Sequence, residues 1–307
     1  MENSSLQPLT PLNSWIPGEV RERGDHPFTN AQKVLDQISE FPTLPTIYSS
    51  LADLLADPAA TTHEVARIIS SDQASTSKIL KIVNSPLYGY PGQIDTVSRA
   101  IVILGFNEIY NLILTTAIMD FFSRQDPLLD FQPVDFWGHS IAVGVAAKCL
   151  AKTLRLARED NFFTAGVLHD IGKLIFFEYA DGQYAKALAL SKQHRTSIQS
   201  GELLVFGTDH ALIGALLAER WGLPPSIINA LRYHETGILP GAEDKLVAVV
   251  HLGNILVRAL ELGYPGDDLI HRPNPEAIKI LKLKPGFLTQ VVPELLEEVE
   301  EISQILL

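Results

Sequence analysis

After Asn30, apolar residues recur at intervals of three and four along almost the whole chain, the period of helices lying against a core. Alternating apolar and polar runs bounded by turn residues, the mark of half-buried strands, are scarce. The pattern predicts an all-α protein. A first helix is expected from about Asn30 to Glu40, with Pro42 and Pro45 separating it from a second that reaches about Ala56. Thr61 or Thr62 is placed to cap the next, with Glu64 in its first turn. Asp72 caps another, through Ile79, Ile82 and Val83, which stops at Asn84-Ser85-Pro86. Thr96 opens a helix that ends near Gly105, and a long apolar helix follows to Phe122. Further helices are expected near 134–153, 159–178, 181–194, 197–206, 208–221, 225–234 and 243–262. The stripe Phe287, Val291, Leu295, Val299 and Ile302 predicts a C-terminal helix that packs on the body or on a partner.

This pattern divides the chain into an irregular arm over 1–29, a helical subdomain over 30–125, a denser helical bundle over 134–265 and a helical extension over 274–307. The arm carries Pro8, Pro11, Pro17 and Pro27, and the stretch Ser123 to Pro133, with two prolines and three charges, reads as the boundary between the two packed subdomains. Apolar residues make up 46% of the chain, enough for a real core, and the net charge of −12 argues against a general binder of nucleic acid or anionic membrane. The single cysteine, Cys149, excludes an internal disulfide framework and suits a reducing compartment; beside Val145, Ala146 and Ala147 it reads as a small buried hydrophobe. No uncharged apolar run approaches the ~18 residues of a membrane span, and the start lacks a basic end followed by an apolar block. A cytoplasmic protein is expected, without a membrane or nucleic-acid partner. The run Glu297, Glu298, Glu300 and Glu301 reads as a solvated helix face.

Candidate chemistry centres on His169 and Asp170. An imidazole beside a carboxylate in an apolar stretch is costly to bury unless something pairs with it, and both groups are ligands for zinc, manganese or iron. Neighbours on a helix differ by ~100° in direction, so the two reach one ion only if it lies between their headings, and a second helix must add ligands. His139, on the helix Phe136 to Ala151, is the natural donor. Lys173 lies four residues past His169 on the same face. His210 opens the helix Asp209 to Trp221, and His234 closes Ile227 to His234, followed by Glu235. Each has a plainer reading: His169–Asp170 as a hydrogen-bonded cross-link, Lys173 in a salt bridge to Asp170 or Glu178, His210 as a helix cap, and His234 answering the helix dipole. The loop Asn84 to Gly92, with Tyr88 and Tyr90, is either a recognition surface or, the reading favoured, a turn packing its aromatics between the subdomains.

A histidine on one helix and His-Asp on the next resembles the HD phosphohydrolase superfamily. More specifically, residues 35–262 resemble the HDOD (HD-related output domain) family. The motifs are Leu44-Pro45, Ile79 to Asn84 followed by Ser85-Pro86-Leu87-Tyr88, Ala100-Ile101 leading to Leu104-Gly105, and Phe136-Trp137-Gly138-His139-Ser140. They continue with Gly166 through Lys173, Asp209-His210 through Gly214, and Trp221-Gly222-Leu223-Pro224. The resemblance implies an all-α bacterial signalling module, often joined to sensory domains and with no generally assigned reaction, whose second subdomain is an HD-like bundle. It also implies metal ligation by His139, His169, Asp170 and a later Asp, with His210 and His234 in places similar to the added histidines of the HD-GYP phosphodiesterases. Their later motif is His-His-Glu, whereas this chain has Tyr233-His234-Glu235, one ligand short. Gly-Tyr-Pro occurs at 89–91 and 263–265, and both copies read as turns. By pattern Asn254 replaces the last Asp, and Asn is a poor ligand for a hard ion; His251, three residues earlier, is a substitute to consider.

Two functions are therefore expected in competition. One is a signalling output or scaffold module with a degenerate metal site, acting through association with a signalling protein, since no receiver or kinase segment is seen. The other is a phosphohydrolase using a divalent metal (iron, manganese or zinc) on a nucleotide or cyclic dinucleotide, with Lys173 steadying phosphate. The incomplete ligand set favours the first. Oligomeric state is left open.

Overall fold

The computed structural model describes residues 27–36, 51, 54, 61–122, 132–156, 161–180 and 182–307. Among these all regular structure is helical, apart from one isolated bridge between Leu239 and Ala242. The arm before residue 27, the second expected helix up to Ala56 apart from Leu51 and Leu54, and most of the 123–133 boundary lie outside the described residues.

The first part comprises α1 (Pro27–Asp36), α2 (Thr62–Ser70), α3 (Gln73–Val83), α4 (Val97–Leu104) and α5 (Phe106–Phe122). Its starts are set by side chains that satisfy orphan amides. Thr61 and Glu64 form a reciprocal capping box on α2, Asp72 accepts from Ala74 N on α3, and Thr96 accepts from Arg99 N on α4. Such caps are worth about 1 kcal/mol each. Gly105, at φ +92°, lets the chain turn between α4 and α5 where an L side chain would be strained.

The second part comprises α6 (Pro133–Thr153), α7 (Phe162–Leu168), α8 (Ile171–Tyr179), α9 (Gln183–His194), α10 (Ile198–Phe206), α11 (His210–Arg220), α12 (Pro225–Tyr233) and α13 (Lys245–Ala259). Then come α14 (Pro275–Ile280) and α15 (Leu288–Leu306). Helix α6 is apolar on nearly every side and sits at the centre, against α7, α13 and α15. Two glycine crossings set the approach. A Cβ on Gly166 would collide with the Gly144 backbone, drawing α7 onto α6, and one on Gly172 would strike the His210 carbonyl, drawing α8 onto α11.

Sequence periodicity and structure differ in one place that matters. The helix expected over 159–178 is two, α7 and α8, broken at His169–Asp170, where Asp170 takes φ −101° and ψ +10°. Leu168 and Ile171 continue the apolar stripe across the break, so the period alone registers a single helix.

The C-terminal stripe packs on the body, against α6 and α3, burying Val291, Leu295, Val299 and Ile302. The acidic face beside it is not uniformly solvated: Glu298 is buried, and burial pushes its carboxyl pKa up. Tyr88 lies under the Lys148 ammonium, 3.3 Å from the ring centroid, and Lys148 also pairs with Glu108 at 2.6 Å. The loop is thus a turn that packs Tyr88 against α6, while Tyr90 stays exposed. Cys149 is buried and its thiol is pushed up to about 12, chiefly by burial, so it is no nucleophile. No single helix among the described residues is long and apolar enough to cross a membrane.

Candidate metal centre

Four helix ends and the middle of α6 converge. His139 projects from α6, His169 caps the C-terminus of α7, Asp170 stands at the N-cap of α8, His210 is the first residue of α11, and His234 caps the C-terminus of α12 with Glu235 beyond it. The five residues from His139 to His234 are completely buried, and the Glu235 side chain is 10% exposed. Potential ligand atoms form two groups that share Asp170. One is Asp170, His210, His234 and Glu235, and the other is His139, His169 and Asp170; within each group the atoms lie within 4.8 Å of one another.

Helix termini fix the rings. The last carbonyls of a helix have no intrahelical amide partner. His169 Nδ1 donates to Gly166 O at 2.7 Å and His234 Nδ1 donates to Leu231 O at 2.8 Å, each three residues back in its own terminal turn. The break after α7 is what gives His169 this role. His210 Nδ1 instead meets Glu202 Oε2 at 2.6 Å, and the same oxygen accepts from His210 N at 2.9 Å. In all three the outer partner holds Nδ1–H and turns the Nε2 lone pair inward, the arrangement that metal-binding histidines use.

Those inward lone pairs have no donors of their own to meet. His210 Nε2 and His234 Nε2 face each other at 3.3 Å, and Asp170 Oδ1 lies 3.3 Å from the first and 3.4 Å from the second. Glu235 Oε1 is 3.4 Å from His234 Nε2, and Asp170 Oδ2 is 3.2 Å from His169 Nε2. Among the described residues, Asp170 Oδ1 and His169 Nε2 find no hydrogen-bond partner, and neither ring nitrogen of His139 does. Leaving such a group unpaired costs about 1–3 kcal/mol. An acceptor-only cluster requires a cation or protons at its centre. Nitrogen and carboxylate donors in this number suit a divalent transition metal, so the residues fit one.

Protonation follows the same geometry. Burial opposes charge on His210, but the Glu202 and Asp170 carboxylates outweigh it and hold its pKa well above the usual histidine value. Burial likewise opposes charge on His234, and the bonds to Asp170 and Glu235 lift its pKa. Asp170 and Glu235 are buried, yet the neighbouring cations hold both well below the carboxylate range. His139 and His169 go the other way: burial pushes both down.

The structure brings together His139, His169, Asp170, His210 and His234, and adds Glu235. The motif Tyr233-His234-Glu235 reads as one ligand short, yet Glu235 itself reaches the cluster; its signal was a second His-carboxylate pair like His169-Asp170. Nothing local in the sequence marks Glu202, eight positions before His210. Lys173 Nζ lies 2.6 Å from Asp170 Oδ2 and donates to Pro265 O at 3.2 Å, and it is buried. Its partner is therefore Asp170, in the salt bridge of its plainer reading. The His210 helix is capped by Asp209, not by His210. His251 is no substitute ligand: Nδ1 donates to His234 O at 2.7 Å and Nε2 accepts from Asn274 N at 3.0 Å, so both nitrogens are committed. Asn254 is buried on α13, and among the described residues its Oδ1 has no hydrogen-bond partner.

The comparisons with known proteins agree with this architecture. The HDOD domain family model matches residues 41–236. The chain is similar to an uncharacterized protein of Treponema pallidum (strain Nichols), 26% identical over 235 residues. That match covers 75% of this chain and 45% of the relative, so the chain spans less than half of that protein's length. In fold it is similar to the crystal structure of an HDOD domain protein of unknown function from Geobacter sulfurreducens (TM-score 0.69, 26% identity, 91% of this chain and 97% of that one). It is also similar to a presumed metal-dependent phosphohydrolase from Shewanella amazonensis SB2B (TM-score 0.65, 19% identity, 90% and 96% covered), a likeness of fold.

Proposed function

Because the chain belongs to the HDOD domain family, we propose that it is a signal-transduction output module that acts through association with other proteins. Its buried centre, in this reading, binds a divalent metal without turning over a substrate. The observation that carries the reading is the combination of a full donor set with a closed site. His139, His169, Asp170, His210 and His234 have no solvent exposure, Glu235 has 10%, and Lys173 is tied to Asp170. His210, His234, Asp170 and Glu235 would hold one ion, and His139 and His169 with Asp170 a second. A bound divalent ion supplies Lewis acidity and lowers the pKa of a coordinated water. The burial of these residues and the pairing of Lys173 with Asp170 support a centre that does not turn over a phosphoester.

A second reading, a metal-dependent phosphohydrolase acting on a nucleotide or cyclic dinucleotide, is favoured by one observation, the fullness of the donor set. One experiment separates the two. Purified protein supplemented with manganese, iron or zinc is analysed for metal, then assayed for phosphodiesterase and nucleotidase activity beside Asp170→Ala. Bound metal with no turnover is expected. Less than about a tenth of an equivalent would remove the metal from the proposal, and turnover lost in Asp170→Ala would establish the hydrolase instead.

A further inference from the structure

The segment joining α13 to α14 has no regular structure, yet it is fastened to the centre along its length. Gly263, at φ +69°, lies so close to α6 that a Cβ would strike the backbone nitrogen of His139. Tyr264 N donates to Asp135 O at 2.9 Å, and Pro265 O accepts from Lys173. The far end is held by Asn274, whose amide donates to His251, the residue that in turn grips the His234 carbonyl. Glu235 is the least buried member of the cluster, and His271 of this segment stands over it, 3.8 Å from its Oε2. This run contains the second Gly-Tyr-Pro, which reads from sequence as a simple turn.

The middle of the segment hangs on one side chain. Arg258, at the end of α13, donates to the carbonyls of Asp267 (3.0 Å) and Leu269 and pairs with Asp267 Oδ2 at 3.3 Å, both partners buried. Asp267 also accepts from Ile198 N at 3.0 Å and from Leu269 N at 2.8 Å. Pro265, Gly266 and Asp267 face inward and are buried, whereas Asp268, Ile270 and Arg272 are exposed.

We infer that residues 263–271 are a latched strap that controls access to the imidazole cluster, and that Arg258 is the positioning residue that holds it shut. The inference deepens the proposed function and rests on it only in taking the cluster as the place to be reached. One guanidinium bonding two carbonyls and a carboxylate fixes a backbone path that no helix or sheet supports. Such a segment opens locally at lower cost than the packed helices around it.

The test uses the full chain. In the wild type, hydrogen exchange across a denaturant series is expected to show the Tyr264 and Leu269 amides opening separately from those of α6. Arg258→Gln is expected to raise both amide rates by about tenfold or more. It should also speed modification of His210 and His234 by diethyl pyrocarbonate to a similar degree, and speed zinc loss to a chelator. Gly263→Ala, which pushes the strap from the other end, is expected to act in the same direction. The strap is refuted if the two wild-type amides exchange only with α6, which decides the matter even if a variant fails to fold. It is equally refuted if histidine modification stays unchanged in Arg258→Gln while the amide rates rise. Failure to bind zinc at all counts against the metal reading alone, since amide exchange and histidine labelling need no ion.

Discussion

The two sides of the centre follow opposite electrostatic rules. Around His210 and His234, Glu202, Glu235 and Asp170 crowd the rings, and protons are held more tightly than on an ordinary histidine. Around His139 and His169 the carboxylate at hand is Asp170, with Lys173 also near, and burial pushes both ring pKa values down. The first side can therefore balance its charge with protons until an ion displaces them. The second side offers the lone pairs of His139 and His169, with Asp170 as the carboxylate it shares with the first. A first ion should settle on the carboxylate-rich side, and a second, weaker one beside His139.

The shared residue gives the largest test. Asp170→Asn should reduce metal content on both sides to under about a tenth of wild type, by elemental analysis. With Lys173 left buried beside a neutral amide, stability should also drop by about 3–5 kcal/mol in urea titrations. A variant that keeps one full equivalent would show that the sides do not depend on a common carboxylate. Next, Glu202→Gln should weaken the first ion by about 10–100-fold, the usual cost of losing an outer partner of a ligand. His139→Ala should leave that ion nearly untouched and remove the second. Equal losses in the two variants would erase the distinction between the sides.

A pH series sharpens the contrast. His210 and His234 have folded pKa values above the ordinary 6.5, so their charged forms stabilise the metal-free protein fully below 6.5. That contribution is lost as pH rises through the folded values. His139 and His169, shifted down, stop contributing to the pH dependence above 6.5. The unfolding midpoint of the metal-free protein should thus fall as pH rises above 6.5, while that of the zinc-loaded protein should not, because the ion replaces the departing protons. Calorimetry in buffers of different ionisation enthalpy should register proton release on zinc binding. The smallest effect is a control far from the centre: Thr61→Ala should cost about 1 kcal/mol of stability and leave metal content unchanged.

How far the sequence reveals this molecule depends on how far apart the interacting residues are. The caps at Thr61, Asp72 and Thr96 are readable because donor and acceptor lie two or three residues apart. The convergence of His139, His169 and Asp170 is readable because helical spacing puts them on neighbouring elements. The break at Asp170 is not, since the apolar stripe runs across it and only the crossing at Gly172 and the demands of the cluster bend the chain. Glu202 and Arg258 are illegible for a related reason: a buried charge on an apolar helix declares a need for a partner without saying where the partner is. Glu235 carries the same signal as Asp170, a carboxylate directly after a histidine, but it stands in an imperfect motif that masks that signal.

The packing of α15 bears on the order in which the molecule assembles. It lies against α3 and α6, residues separated from it by some of the longest stretches of the chain, and it is synthesised after both. The contacts of α15 with α3 and α6 therefore close late, once the bundle around α6 has had time to form during translation. Until then the apolar faces of α3 and α6 that α15 will cover stay open to solvent, and a nascent chain stalled before Leu288 would be a natural client for chaperones.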